Sequence, residues 1–95
     1  MPNNGWTLFL EICLAARNRQ ELDDLLQLFL TAEEKNSIKD RYLIIQALLE
    51  KKLTQREIAD TLKVSIAKIT RGSNELKRIS PQLWAFLEKH MQSCQ

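Results

Sequence analysis

Apolar residues recur along most of this chain at spacings of three and four, the period of an α-helix rather than the alternation of a strand. Trp6, Leu8, Phe9, Leu10, Ile12, Cys13 and Leu14 predict a helix over about residues 6–17. Leu22, Leu25, Leu26, Leu28, Phe29 and Leu30 predict a second over about 20–30. Both stretches read as apolar around most of their circumference. A helix of that kind must be buried on nearly all sides. A chain of 95 residues has little material to cover two of them, because short chains bury a modest fraction of their surface. An interlocked dimer is therefore expected.

Capping signals divide the rest. "TAEE" at 31–34 is a capping box, Thr31 with Glu34, opening a long helix over about 32–51 with Ile38, Tyr42, Leu43, Ile45, Leu48 and Leu49. "TQRE" at 54–57 is a second box, opening a short helix to about Leu62. Ser65 is the next N-cap, for a helix reaching about Arg78. "SP" at 80–81 caps a last helix carrying Leu83, Trp84, Leu87 and Met91. Two glycines and two prolines in the whole chain suit long helices and short connections. The expectation is six helices, no strand, and one helical domain over residues 1–95.

Charge adds a second layer. The net charge is +2, but its distribution is uneven. Residues 1–53 hold seven basic and eight acidic side chains, whereas residues 54–78 hold six basic and three acidic. An excess of positive charge in one segment is how an electrostatic footprint for phosphate enters a sequence; a solvated helical face would look the same. "MPNNG" has no basic leader and Glu11 breaks the first apolar run, so neither a secretory signal nor a membrane span is expected. Cys13 and Cys94 lack metal or redox spacing and read as free thiols of a reducing cytoplasm.

The basic segment coincides with "QREIADTLKVSIAKI", residues 55–69, in which Ile58, Leu62, Val64, Ile66 and Ile69 are apolar and Ala59 is small where two helices would cross. The two capped starts, Thr54 and Ser65, leave a turn of about three residues. This is the layout of a DNA-binding helix-turn-helix, over residues 54–78, whose second helix enters the major groove. Lys63 stands at the turn position where glycine is usual, so a looser or differently wound turn is one expectation. An ordinary helical hairpin is the alternative.

Stepping 100° per residue from Ser65 gives three faces. Ile66, Ile69, Ser73 and Leu76 face the core. Ala67, Thr70, Asn74, Lys77 and Arg78 form a polar face suited to a groove and its phosphates. Lys68, Arg71, Gly72 and Glu75 form a third. Glycine inside a helix costs about 1 kcal/mol relative to alanine, so Gly72 needs a reason. Either another helix approaches closely there, or a flat ligand with a ring and a carboxylate lies on the bare backbone beside the Arg71 guanidinium.

"LTQREIADTLKVSIAKITRGSNELK", with "ITRGSN" its most specific run, resembles the tryptophan repressor family, and the likeness extends upstream through "LFLTAEEKNSIKDRYLIIQALLE". The resemblance implies an all-α, six-helix interlocked homodimer with a helix-turn-helix reading head. It implies a repressor of palindromic operators that uses L-tryptophan as corepressor and no other cofactor. By position, the indole would lie between Arg41 and Arg71, over Gly72. Its carboxylate would meet Arg71 and Thr31, and its ammonium the carbonyls of Leu28 and Leu30 from the other subunit. Ile45 would line the pocket. Gln55, Arg56, Ile66, Ala67, Lys68, Thr70, Arg71, Gly72 and Lys77 match the family's DNA-contact positions.

Three residues depart from the pattern: Lys68 replaces a threonine, Ala59 a DNA-contacting lysine, and Glu75 a serine that helps hold the ammonium. Glu75 can pair with the ligand ammonium or reach back one turn to Arg71. The expectation is that it holds Arg71 until tryptophan arrives. Two other readings follow: a related DNA-binding regulator that is ligand-independent or answers another ligand, and a helical protein–protein interaction module. An enzyme is not expected. His90 is the single histidine, and Asp23 and Asp24, being adjacent, point apart on a helix.

Overall fold

The computed structural model describes residues 4–91 and contains, among them, six helices and no strand. They are α1 Gly5–Ala15, α2 Arg19–Phe29, α3 Ala32–Glu50, α4 Gln55–Leu62, α5 Ile66–Leu76 and α6 Pro81–His90. Each predicted cap forms. Thr31 and Glu34 exchange bonds of 2.9 and 3.0 Å, and Thr54 and Glu57 bonds of 2.8 and 3.1 Å. Ser65 Oγ accepts from the Lys68 amide at 3.3 Å and Ser80 Oγ from the Leu83 amide at 3.1 Å. Asn4 and Asn18, whose cap signals went unused in the sequence, accept from the amides of Thr7 and Glu21 and start α1 and α2.

The chain divides into two compact units, residues 1–35 and 36–95. In the first, α1 and α2 meet through Phe9 and Phe29, edge to face at 5.1 Å, with Trp6 stacked on Phe9 at 5.6 Å. Arg17 closes the joint: its backbone N–H and guanidinium both bond the Glu21 carboxylate, at 2.8 and 2.7 Å. The guanidinium first, and the backbone N–H second, hold Glu21 below the usual carboxylate range. This clip is therefore present above that lowered value and lost as pH falls through it. Neither helix buries a residue; Leu14 is 85% exposed and Leu28 77%. Cys13 is a half-buried free thiol, and Cys94 lies outside the described residues. The expectation for α2 needs correction. Arg19, Gln20, Asp23, Asp24 and Gln27 share one side and the leucines the other, so this helix is amphipathic, whereas α1 is apolar around most of its circumference.

In the second unit, Ile44 of α3, Ile58 and Ala59 of α4 and Ile69 of α5 form the core, flanked by Ala47, Leu48, Leu62 and Val64. The Gln46 side chain donates to the Met91 carbonyl at 3.5 Å and ties α3 to the end of α6. Trp84 and Leu87 are half-buried and Met91 is buried, but Leu83 is exposed, as is Phe86 against His90.

Lys63, Val64 and Ser65 separate α4 from α5, the three-residue turn expected. The turn is neither loose nor rewound. Lys63 adopts φ 60°, ψ 42°, and the N–H groups of Lys63 and Val64 both return to the Ala59 carbonyl. A side chain in this left-handed region costs about 1 kcal/mol. Lys63→Gly should therefore raise the unfolding free energy by about 0.5 kcal/mol, the relief being partly cancelled by the greater freedom of glycine in the unfolded chain. A higher urea midpoint at unchanged slope is the expected measurement.

A pocket behind the second helix of the pair

The three faces of α5 now have surroundings. Ile69 and Leu76 are buried and Ser73 half-buried, as expected of the inner face. Ile66 is not part of it: at the first turn it is 50% exposed. Ala67, Thr70, Asn74, Lys77 and Arg78 are all exposed on the polar face. Gln55 and Arg56, at the start of α4, are exposed too, and the Thr70 hydroxyl reaches Gln55 Oε1 at 3.3 Å. Ala59, by contrast, belongs to the core, where it lets α4 and α5 approach.

The third face, Lys68, Arg71, Gly72 and Glu75, looks onto α3. With Ser37, Asp40, Arg41, Ile44 and Ile45 it encloses a pocket of about 450 Å³, within the range typical of small-molecule sites. Arg41, Ile45, Arg71, Gly72 and Glu75 were expected to share a site, and the fold brings these five together. Ser37, Asp40 and Ile44 were missed, although Ser37 and Ile44 lie one turn before and after Arg41, and Asp40 one turn from both, so the helical period alone would have found them. Leu28, Leu30 and Thr31 belong to the first unit. Thr31 Oγ accepts from Glu34, which leaves its hydroxyl proton to donate elsewhere. Leu30 ends α2, where the last carbonyls have no intrahelical donor.

Gly72 is explained first by packing. A Cβ there would lie 3.0 Å from Ile44 Cγ2 and 3.6 Å from Leu48 Cδ1, so side chains of α3 pack onto the bare backbone of α5 at this point. The same approach forms the pocket floor. Three cationic side chains (Arg41, Lys68, Arg71) and two carboxylates (Asp40, Glu75) line it. That mixture suits a zwitterion better than a simple anion or cation.

Glu75 is not the partner of Arg71. Among the described residues its ion pair is with Arg78, Oε2 to Nη1 at 3.5 Å, both side chains being exposed. Helical order explains the choice. An arginine four residues before a glutamate makes the weaker of the two possible pairs. Arg78 lies past the end of α5 and folds back freely over its last turn.

Fold and surface together define an all-α protein of six helices among the described residues. A family profile described as Trp repressor protein matches residues 4–91. The chain is 50% identical to a Trp operon repressor homolog of Chlamydia trachomatis serovar D over 88 residues, 93% of this chain and 94% of the relative. It is 52% identical to a Trp operon repressor homolog of Chlamydia caviae over 85 residues, covering 90% and 84%. It is 46% identical to one of Mannheimia succiniciproducens over 85 residues, covering 90% and 84%. The chain belongs to the Trp repressor family, a family of DNA-binding transcription repressors and not of enzymes. No helix among the described residues is long and apolar enough to cross a membrane.

Proposed function

We propose that this chain is a cytoplasmic repressor of tryptophan-related genes, an interlocked homodimer that binds palindromic operators when L-tryptophan is bound. The observation that carries the proposal is the shared helix: one face of α5 lines the pocket while another carries the polar, exposed residues of the reading head. A ligand seated between α3 and α5 thus bears directly on the element that reads DNA. The indole lies between Arg41 and Arg71 over Gly72, the carboxylate meets Arg71 and Thr31, and the ammonium meets the Leu28 and Leu30 carbonyls of the other subunit. Thr70, Lys77, Arg56 and the start of α5 at Ile66 and Ala67 face the duplex. The reading is tested by DNA retention at physiological salt with and without L-tryptophan. Retention that ignores the ligand would favour a ligand-independent regulator, and no retention an interaction module.

Exposed apolar surface supports the homodimer. Trp6, Leu8, Leu10, Ile12 and Leu14 are open on α1, as are Leu83 and Phe86 on α6. Burying a side chain of this size gains about 1.5–3 kcal/mol, so several together outweigh the cost of association. Sedimentation at micromolar concentration should give one species of twice the 11.1 kDa chain mass; a folded monomer would sink the proposal. Lys77→Ala should lower the slope of log affinity against log salt by about one unit, the loss of a single phosphate contact. An unchanged slope would remove Lys77 from the interface.

A further inference from the structure

Thr70 lies near the middle of α5 and Gln55 opens α4, 15 residues earlier, yet their side chains are bonded across the pair, Oγ1 to Oε1 at 3.3 Å. A helical threonine hydroxyl ordinarily turns back onto a carbonyl of its own preceding turn. Here it crosses to the neighbouring helix. Against a carbonyl oxygen the hydroxyl can only donate, so its proton is committed. The Gln55 carbonyl oxygen takes up that proton on one of its two lone pairs, and the two N–H donors on Nε2 remain available. Both residues are exposed, on the side of the pair that carries Ala67 and Lys77. In a helix-turn-helix the first helix crosses the sugar–phosphate backbone, where the groups on offer are phosphate oxygens and the useful protein group is a donor.

We propose that Thr70 is a positioning residue for Gln55. Its hydroxyl fixes the orientation of the Gln55 amide, so that Nε2 donates to a backbone phosphate and the two side chains act as one contact spanning both helices. The inference rests on the DNA-binding reading above. With its proton engaged, Thr70 does not donate to a base edge. Its loss weakens binding to all sequences alike instead of altering which base pairs are preferred.

The test uses the full chain with L-tryptophan and a palindromic duplex enriched by the wild-type protein from a random pool. Thr70→Val keeps the shape and removes the hydroxyl; Thr70→Ser keeps the hydroxyl; Gln55→Ala removes the amide. Thr70→Val and Gln55→Ala should each weaken binding about threefold to tenfold, the range of one ordinary hydrogen bond. The double variant should be no weaker than the worse single one, because both remove the same contact. Thr70→Ser should retain wild-type affinity. The salt slope should not change, since neither group is charged. Single-base variants of the duplex should keep their rank order with Thr70→Val. Losses that multiply in the double variant, or a changed base preference with Thr70→Val alone, would overturn the inference while leaving the repressor reading intact. If the wild-type protein enriches no duplex, the DNA-binding reading fails and this inference with it.

Discussion

Gly72→Val should lower the unfolding free energy by about 2 kcal/mol, although valine is the better helix former, because an overpacked core typically loses 1–3 kcal/mol. The first added carbon already meets Ile44 Cγ2 at 3.0 Å and Leu48 Cδ1 at 3.6 Å. Ile44 is 3% exposed and packed among Ile58, Ala59 and Ile69. A β-branched side chain in a dense core has no second rotamer to retreat into. Two further methyls therefore force α3 and α5 apart, and the pocket floor moves with them. Gly72→Ala should be milder, its gain of about 1 kcal/mol in helix propensity offsetting the single tight contact. Ile44→Ala removes Cγ2; alone it should cost about 2–5 kcal/mol. Combined with Gly72→Ala, it should cost less than the sum of the two, since each makes room for the other. Urea midpoints at fixed protomer concentration read all four variants. Wild-type stability in Gly72→Val would show that the close approach does not govern this position.

Arg71→Ala should weaken L-tryptophan binding about thirtyfold to hundredfold, the loss of hydrogen bonds to a charged group at roughly 2–3 kcal/mol. Calorimetry without DNA isolates this effect, because Arg71 is also among the proposed DNA-contact positions. Arg71→Lys should recover only part of the loss, since an ammonium cannot make the paired parallel bonds of a guanidinium. The second half of the proposed recognition falls to Glu75. Its carboxylate lines the pocket, and its partner in the free chain is Arg78, at 3.5 Å and open to water. Exposed pairs of this kind are worth little, so Glu75 can turn from Arg78 to a ligand ammonium at small cost. Indole-3-propionate keeps the ring and the carboxylate but lacks the amine. It would set a second carboxylate beside Glu75 and should bind poorly. Glu75→Ser should admit the analogue while changing tryptophan affinity by less. If wild type and Glu75→Ser reject the analogue equally, Glu75 does not face the ligand.

Local chemistry made much of this legible beforehand. A cap is an interaction between residues three apart, so the boxes at Thr31 and Thr54 and the caps at Ser65 and Ser80 are written in adjacent positions and form as written. Asn4 and Asn18 carried the same kind of signal, and overlooking it blurred the starts of α1 and α2. The 100° step along α5 put Lys68, Arg71, Gly72 and Glu75 on one face, and that face lines the pocket. The run of leucines in α2 misled, because its density hid the polar stripe that the same step reveals.

The sequence by itself determined where the helices begin, which residues share a helical face, and that a basic helix pair carries the polar surface. Each depends on backbone geometry and neighbours within one turn. Only the tertiary structure decided between the two explanations of Gly72, because the deciding atom, Ile44 Cγ2, belongs to a residue 28 positions away on another helix. It also turned Ile66 outward, kept Lys63 in a left-handed turn, and assigned Glu75 to Arg78. These outcomes depend on which helix lies alongside and at what distance. Periodicity within a single helix carries no information about either.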